Sequence, residues 1–233
     1  MLSRSIPASS LYAFAGVTHP LPDMADVAPR SLSLEDQQRF DRFSYGPRVP
    51  APFSCVHHAF EYHAATQPNA TAVEHLGDSI TYAELDRQAN ILANYLRTSG
   101  VRPGVRICLL VQRSILMVVG IVAVLKAGGA YVPLDGTIVT QSTLEHVLND
   151  SEAKLVLTLQ DYVHRVSNTP TFCLENIAEL PQVVSKPEDL SASTDSVYII
   201  YTSGKSSVDR SQCVVLGSPG MLQEPLASQK ASR

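Results

Sequence analysis

The sequence predicts an α/β fold with a mostly parallel sheet and flanking helices. From residue 53 onward, short strand-like runs alternate with segments of helical periodicity, which is the rhythm of parallel strands connected by helices. The run VRICLLV at residues 105–111 is almost continuously apolar, as is typical of a strand covered on both faces. A content of 45% hydrophobic and 17% charged residues fits a globular protein of this kind.

The elements of this fold can be placed in order along the chain. The segment SCVHHAFEYHAATQP predicts a helix and TAVEHLGDSIT a hairpin, after which Thr81 and Glu84 form a capping box for the next helix. Two later helices are predicted over ILMVVGIVAVLKA and STLEHVLND. Five strands are predicted in the order VRICLLV, AYVPL, AKLVLTL, TFCLE and VYIIY.

Three regions divide the chain. Residues 1–52 predict a flexible lead-in with one helix, which Ser33 is placed to cap. Three prolines at the end of this region, in GPRVPAP, stop regular structure. Residues 53–204 predict the compact domain, and residues 205–233 a divergent, disordered tail.

Charge and hydropathy argue against two classes of partner. The net charge is −4, so no basic surface is predicted for a nucleic acid. The most apolar stretch, residues 107–125, approaches the length of a membrane span, but Gln112, Arg113 and Ser114 interrupt it. We therefore expect a buried strand followed by a buried helix, with neither nucleic-acid nor membrane binding.

The cysteines and histidines predict no metal site. Four cysteines lie far apart without a Cys-x-x-Cys pair, which favours a reducing, cytoplasmic location: Cys55, Cys108, Cys173 and Cys213. The seven histidines include the pair His57-His58 and, nearby, His63. Metal binding there is one interpretation, and an ordinary position on a helix surface is the favoured one.

The stretch YTSGKSS at residues 201–207 predicts a loop that binds phosphates. A strand that ends in two hydroxyl residues and a glycine places hydroxyls and backbone amides at the carboxyl edge of the sheet, where open α/β folds bind ligands. Gly204-Lys205-Ser206 also resembles the end of a P-loop, but that motif requires a further glycine where this chain has Ile199. An ordinary polar surface loop is the alternative.

Three segments in sequence order carry a resemblance to a known family. They are ITYAELDRQANILANYL (80–96), VLKAGGAYVPLD (124–135) and SVYIIYTSG (196–204). Together they closely resemble the opening motifs of the adenylate-forming, AMP-binding enzymes, and LKAGGAYVPLD resembles the adenylation domains of nonribosomal peptide synthetases in particular. The lead-in LSLEDQQRFDRF is similar to the segment that often precedes such domains. The resemblance covers about residues 31–204, the incomplete N-terminal portion of the large subdomain of these enzymes.

The resemblance implies a chemistry and a set of site residues. Family members use ATP and Mg²⁺ to activate a carboxylic acid, here an amino acid, as an adenylate. Lys126, Tyr131 and Asp135 match a motif that is chiefly structural, and Lys126 is expected to reach solvent or to complement the helix dipole. No catalytic residue is assigned. By motif match, the loop that holds the outer phosphates comprises Thr202, Ser203, Gly204, Lys205, Ser206 and Ser207.

Beyond Gly204 the chain departs from the family pattern. When two extra residues are allowed, Gln212 replaces the loop lysine, Cys213 replaces a glycine, and Asp209 adds a negative charge. The acid-selecting pocket and the small mobile domain of the family have no counterpart in these residues. We therefore expect a truncated AMP-dependent ligase domain that is inactive alone.

Two alternatives remain open for the function, and one expectation concerns association. The chain could be a non-catalytic remnant that docks onto a synthetase, or a fragment of an acyl-CoA or aryl-acid ligase. In each case the strand VYIIY is expected to present an unpaired edge, which predicts self-association.

Overall fold

The structure, a computed structural model, describes residues 33–44, 52–202, 212–217 and 222–223. The chain divides into two units, and helix α1 (Leu34–Ser44) belongs to the first of them. It begins as predicted, because the Ser33 hydroxyl accepts a hydrogen bond from the Asp36 amide at 3.1 Å. The second unit, which includes the described residues from 52 onward, contains the sheet.

The second unit contains four α-helices and nine strands among the described residues. The helices are α2 (Val56–Thr66), α3 (Tyr82–Thr98), α4 (Ile115–Lys126) and α5 (Gln141–Asp150), and two 3₁₀ helices cover Gln160–Arg165 and Leu174–Glu179. The strands are β1 (Thr71–His75), β2 (Asp78–Thr81), β3 (Arg106–Val111), β4 (Ala130–Asp135), β5 (Leu155–Thr158), β6 (Thr171–Cys173), β7 (Ser196–Thr202), β8 (Gln212–Gly217) and β9 (Leu222–Gln223).

One sheet organises this unit, and its main part is parallel as the sequence predicts. The strand order is β6-β5-β3-β4-β7-β8-β9, and the first five strands run parallel to one another. Strands β8 and β9 are antiparallel to their neighbours. The hairpin β1-β2 forms a separate two-stranded sheet. The predicted α/β class is therefore confirmed.

The central strand β3 is buried on both faces, which explains its continuous apolar sequence. Ile107 and Leu109 lie in the core that α3 and α4 cover, whereas Cys108 and Leu110 pack with Leu144 of α5 on the other face. All five side chains are fully shielded from solvent. Because helices cover both faces of β3, its sequence lacks the alternation of polar and apolar residues that a half-exposed strand would show.

The apolar stretch at residues 107–125 is a strand followed by a helix. The polar residues 112–114 separate the two elements, and the last of them, Ser114, caps α4. Its hydroxyl accepts a hydrogen bond from the Met117 amide at 3.1 Å. Within the residues that the structure describes, no helix is long and apolar enough to cross a membrane.

The edge of β7 is paired with another strand, although the sequence led us to expect an unpaired edge. Strand β8 pairs with β7 from Ser196↔Gly217 to Thr202↔Gln212, so the expectation of an unpaired β7 edge is wrong. The reason lies in QCVVLG at residues 212–217, whose apolar core has enough β-propensity to return antiparallel to the preceding strand. Strands β8 and β9 both fall within the segment 205–233, which the sequence predicts to be a disordered tail.

Candidate functional site at the carboxyl edge of the sheet

The ends of three parallel strands define the candidate site. Val111 at the end of β3 pairs with Asp135 at the end of β4. On the other side of β4, Tyr131 pairs with Tyr198 of β7, and the two rings stack with their centroids 5.5 Å apart. Asp135 and Thr202 each lie four residues beyond this pair, at the carboxyl ends of β4 and β7.

Asp135 shapes the turn that leaves β4. One of its carboxylate oxygens accepts hydrogen bonds from the Thr137 amide at 2.8 Å and from the Thr137 hydroxyl at 2.6 Å. These bonds, and more weakly the positive charge of Arg113, hold the pKa of Asp135 below its usual value. The family motif assigns Asp135 a structural role, and the geometry agrees with that assignment.

Gly136 allows a close contact next to this turn. A Cβ atom at position 136 would lie 2.6 Å from the ring of Tyr162, so only glycine fits without displacing the ring. The Tyr162 hydroxyl donates to the Gln112 side chain at 3.2 Å, and Arg165 donates to the Gly136 carbonyl at 2.7 Å. Tyr162 and Arg165 were not found from the sequence, because their contacts depend on tertiary packing.

The predicted phosphate loop begins at this edge. Thr202 is the last residue of β7, and Gln212, the first residue of β8, is its partner across the antiparallel ladder. The position that the family pattern equates with the loop lysine therefore lies next to Thr202. The other predicted loop residues lie outside the described residues: Ser203, Gly204, Lys205, Ser206 and Ser207.

Side chains of α5 contact β7 and hold this strand in place. Ile199 is buried with Val132 and Val147, and the Tyr201 hydroxyl donates to the Asp150 carboxylate at 2.8 Å. A rigid strand is a suitable support for a loop that must hold a ligand in one geometry.

Lys126 differs from its sequence expectation. Its side chain is 1% exposed, and the ammonium lies 2.9 Å from the Glu61 carboxylate, 2.8 Å from Asp86 and 2.9 Å from the Asn90 side-chain oxygen. Of the two expectations for Lys126, exposure to solvent is wrong, because α2 and α3 each supply a carboxylate that pairs with it. Lys126 does lie in the last turn of α4, where a positive charge complements the helix dipole. Burial is the largest single influence on the pKa of Glu61 and raises it, but the hydrogen bonds and charges of Lys126 and Lys186 together outweigh burial and lower this pKa.

The connector at residues 181–195 is attached to α3 by side chains. The Asn94 amide donates to the carbonyls of Val183 and Ser185 at 3.2 and 2.8 Å. Asn90 donates to the Val184 carbonyl at 2.9 Å, and Arg97 donates to the Glu188 carbonyl at 3.0 Å. These bonds hold in place a segment without regular secondary structure, which directly precedes β7 in the chain.

A second polar cluster forms where this connector passes α2. His57 is buried, not on the helix surface as expected, and its Nε2 lies 3.6 Å from one carboxylate oxygen of Asp189. The His58 Nε2 lies 2.5 Å from the other oxygen. Burial opposes ionisation of Asp189, but the Ser191 amide and the two histidines outweigh this and lower the pKa of Asp189 to about 2.

Known proteins resemble this chain over the segment that contains the parallel sheet. The sequence profile of the family described as AMP-binding enzyme matches residues 60–205. Adenylate-forming reductase 06235 of Coprinopsis cinerea is 46% identical over 193 residues, which are 80% of this chain and 19% of the reductase. Tyrocidine synthase 3 of Brevibacillus parabrevis is 39% identical over 148 residues, which are 62% of this chain and 2% of the synthase.

Solved structures share the fold. The nonribosomal peptide synthetase FmoA3, in its AMPPNP-bound form, matches with a TM-score of 0.70 at 25% identity, over 81% of this chain and 20% of FmoA3. The N-terminal subdomain of NpsA from Klebsiella oxytoca matches with a TM-score of 0.62 at 22% identity, over 70% of this chain and 42% of that subdomain.

The chain spans a fifth or less of the length of the curated relatives named above. Its matched segment runs through the hairpin, the parallel strands and the start of the predicted phosphate loop. The chain belongs to the AMP-binding enzyme family, and it carries part of a domain related to the adenylation domains of nonribosomal peptide synthetases.

Proposed function

We propose that this chain supplies the N-terminal part of a site in which ATP activates the carboxylate of an amino acid as an adenylate. The observation that carries the proposal is the position of Thr202, which ends a parallel strand at the same edge of the sheet as Asp135 and begins the TSGKSS loop. Ligands of open α/β sheets bind at this edge.

In this proposal the loop from Thr202 to Ser207 holds the outer phosphates of ATP. Its hydroxyls and backbone amides donate hydrogen bonds to phosphate oxygens, and Lys205 adds a positive charge. Mg²⁺ would neutralise the same phosphates. The substrate carboxylate attacks the α-phosphorus, the bond to the bridging oxygen breaks, and pyrophosphate leaves with that oxygen.

We further propose that the loop of this chain binds phosphates weakly and that the chain alone does not turn over. Position 212 lies beside Thr202, and a neutral glutamine there lacks the charge that a lysine would bring to the phosphates. Asp209 places a negative charge in the same loop. Both features oppose the binding of a polyanion.

The substitution Gln212→Lys tests this assignment of the loop. We expect it to strengthen the binding of ATP with Mg²⁺ about tenfold in isothermal titration calorimetry, as a charge-assisted hydrogen bond does. AMP, which lacks the outer phosphates, is expected to gain much less. Gln223→Lys, in β9, is the matched control because it adds the same charge away from Thr202. Equal effects of the two substitutions would contradict the assignment.

Turnover is tested by exchange of labelled pyrophosphate into ATP over a panel of amino acids. We expect residues 1–233 to give background exchange with every acid, because Gln212 and Asp209 oppose the binding of the outer phosphates. Robust exchange with any one acid would overturn the proposed inactivity and would identify the substrate at the same time.

We also infer a cytoplasmic location. Cys108 and Cys173 are free thiols, and burial raises the pKa of Cys108 to about 12, so it stays protonated and unreactive. Free thiols in a domain of this size fit a reducing compartment.

A further inference from the structure

The cluster of His57, His58 and Asp189 is distinct from the proposed phosphate loop. All three residues lie where α2 meets the connector, and one nitrogen or oxygen atom from each lies within 4.8 Å of the other two. Two imidazole nitrogens and one carboxylate are a donor set that Zn²⁺ binds, with a water molecule as the fourth ligand. The chemistry proposed for the phosphate loop needs none of these side chains.

One donor atom of the cluster lacks a hydrogen-bond partner. Within the described part of the chain, the buried Nε2 of His57 accepts and donates no hydrogen bond, and the 3.6 Å separation from Asp189 is too long for one. The His57 residue is only 6% exposed. A buried polar nitrogen without a partner is costly, and a bound ion would satisfy it.

The other two donors are already oriented. The Nδ1 atom of His58 lies 3.1 Å from the Ser54 hydroxyl, which leaves its Nε2 directed at Asp189. One Asp189 oxygen accepts a hydrogen bond from the Ser191 amide at 3.0 Å. Hydrogen bonds of this kind from outside the ligand shell fix metal-binding side chains in proteins.

We propose that His57, His58 and Asp189 form a site for a divalent transition-metal ion, with Zn²⁺ as the preferred ion. The ligands come from both sides of the junction, so the ion would fasten the connector to α2. Zinc ligands lie about 2.0–2.2 Å from the ion, hence at most about 4 Å from one another. The His58 Nε2 and the nearer Asp189 oxygen are 2.5 Å apart, which is too close for two ligands of one ion, so the ion would replace this hydrogen bond. Asp189, whose side chain is 34% exposed, can rotate to make room for it.

The space next to the cluster can hold a further ligand. A small cleft lined by His57, Ser191 and Asp195 opens beside the cluster and gives room for a water ligand. The buried Ser191 hydroxyl in this cleft also lacks a hydrogen-bond partner among the described residues.

The test uses the full chain and Co²⁺ as a spectroscopic substitute for Zn²⁺. We expect one Co²⁺ per chain with the visible absorption of a four-coordinate ion, displacement by Zn²⁺, and a higher melting temperature with Zn²⁺. His58→Gln and Asp189→Asn are each expected to weaken binding at least tenfold. His63→Gln, on the same helix, is the control and is expected to bind as the parent chain does.

Three results would overturn the proposal. They are a stoichiometry near zero, equal loss of binding in His63→Gln, and an intense near-ultraviolet band, which would show that cysteine thiolates bind the ion instead. Circular dichroism of each variant without metal separates loss of the site from loss of the fold, since both substituted side chains are partly exposed. The assay involves no nucleotide, so its outcome is independent of the phosphate loop.

Discussion

Lys126 joins three helices through one ammonium group. Its partners are Glu61 on α2 and the pair Asp86 and Asn90 on α3, and all lie within 2.9 Å. Lys186, which is 57% exposed, contacts the other oxygen of Glu61 at 3.1 Å. One carboxylate therefore bridges a buried lysine and an exposed one, which offers a matched comparison.

We predict that Lys126→Ala destabilises the protein by about 3–5 kcal/mol, because it leaves carboxylates partly buried without their cation. Lys186→Ala is expected to cost less than about 1 kcal/mol, since exposed ion pairs contribute little. The free energy of unfolding in urea, measured for both variants, checks the prediction. Similar values for the two would show that the buried pair contributes no more than the exposed one.

Lys126 and its partners show what can and cannot be predicted about single side chains from the sequence. The position of Lys126 at the end of α4 was predictable from the apolar run before it. Its environment was not, because Glu61 is 65 residues away in the chain. The same holds for His58 and Asp189, which are separated by 131 residues. Local periodicity places a side chain on an element but does not identify a distant partner.

At the scale of elements, the signals that were read correctly are local ones. Thr81 caps α3 by accepting a hydrogen bond from the Glu84 amide at 3.3 Å, as predicted, whereas the Glu84 carboxylate accepts hydrogen bonds from Arg87 and Gln88. The turn after β4 could not be predicted in this way. It depends on Tyr162, which comes from a 3₁₀ helix that follows β5.

We predict that Gly136→Ala destabilises the protein by about 1–3 kcal/mol, because the added methyl group overlaps the Tyr162 ring. Tyr162→Leu removes the ring and is expected to be destabilising alone. Combined with Gly136→Ala, it should cost less than the sum of the two single changes. A thermal-denaturation double-mutant cycle measures this coupling, and strict additivity would show that the two positions do not interact.

At the scale of the whole molecule, the sheet is continued by strands that were not predicted from the sequence. The five parallel strands follow from apolar runs separated by helices, whereas QCVVLG at 212–217 lies in a segment of mixed composition. Its apolar centre was the available signal. On its outer side, β8 pairs with β9 at Val215 and Leu216, the two pairs that the described residues show. For β7 to present a free edge for self-association, β8 would therefore have to detach from it.

We predict that Val214→Pro promotes self-association of the chain. Val214 pairs with Ile200 of β7, and proline would remove a backbone donor from β8 and loosen its hold on β7. Val214→Thr retains both the donor and the β-propensity and is the control. Size-exclusion chromatography with light scattering over a range of concentrations should show a larger mass for the proline variant only. An unchanged mass would mean that β8 does not protect the edge.

The attachment of the connector to α3 has a consequence for how its sequence can diverge. Asn90, Asn94 and Arg97 donate to carbonyl oxygens of the connector, and every amino acid possesses such an oxygen. Exchange of Val184 or Ser185 for another residue keeps these bonds, whereas insertion or deletion of one residue shifts every acceptor out of reach. Natural variants of the connector should therefore differ in amino-acid sequence but keep its length. The three donor residues on α3 should keep their identity.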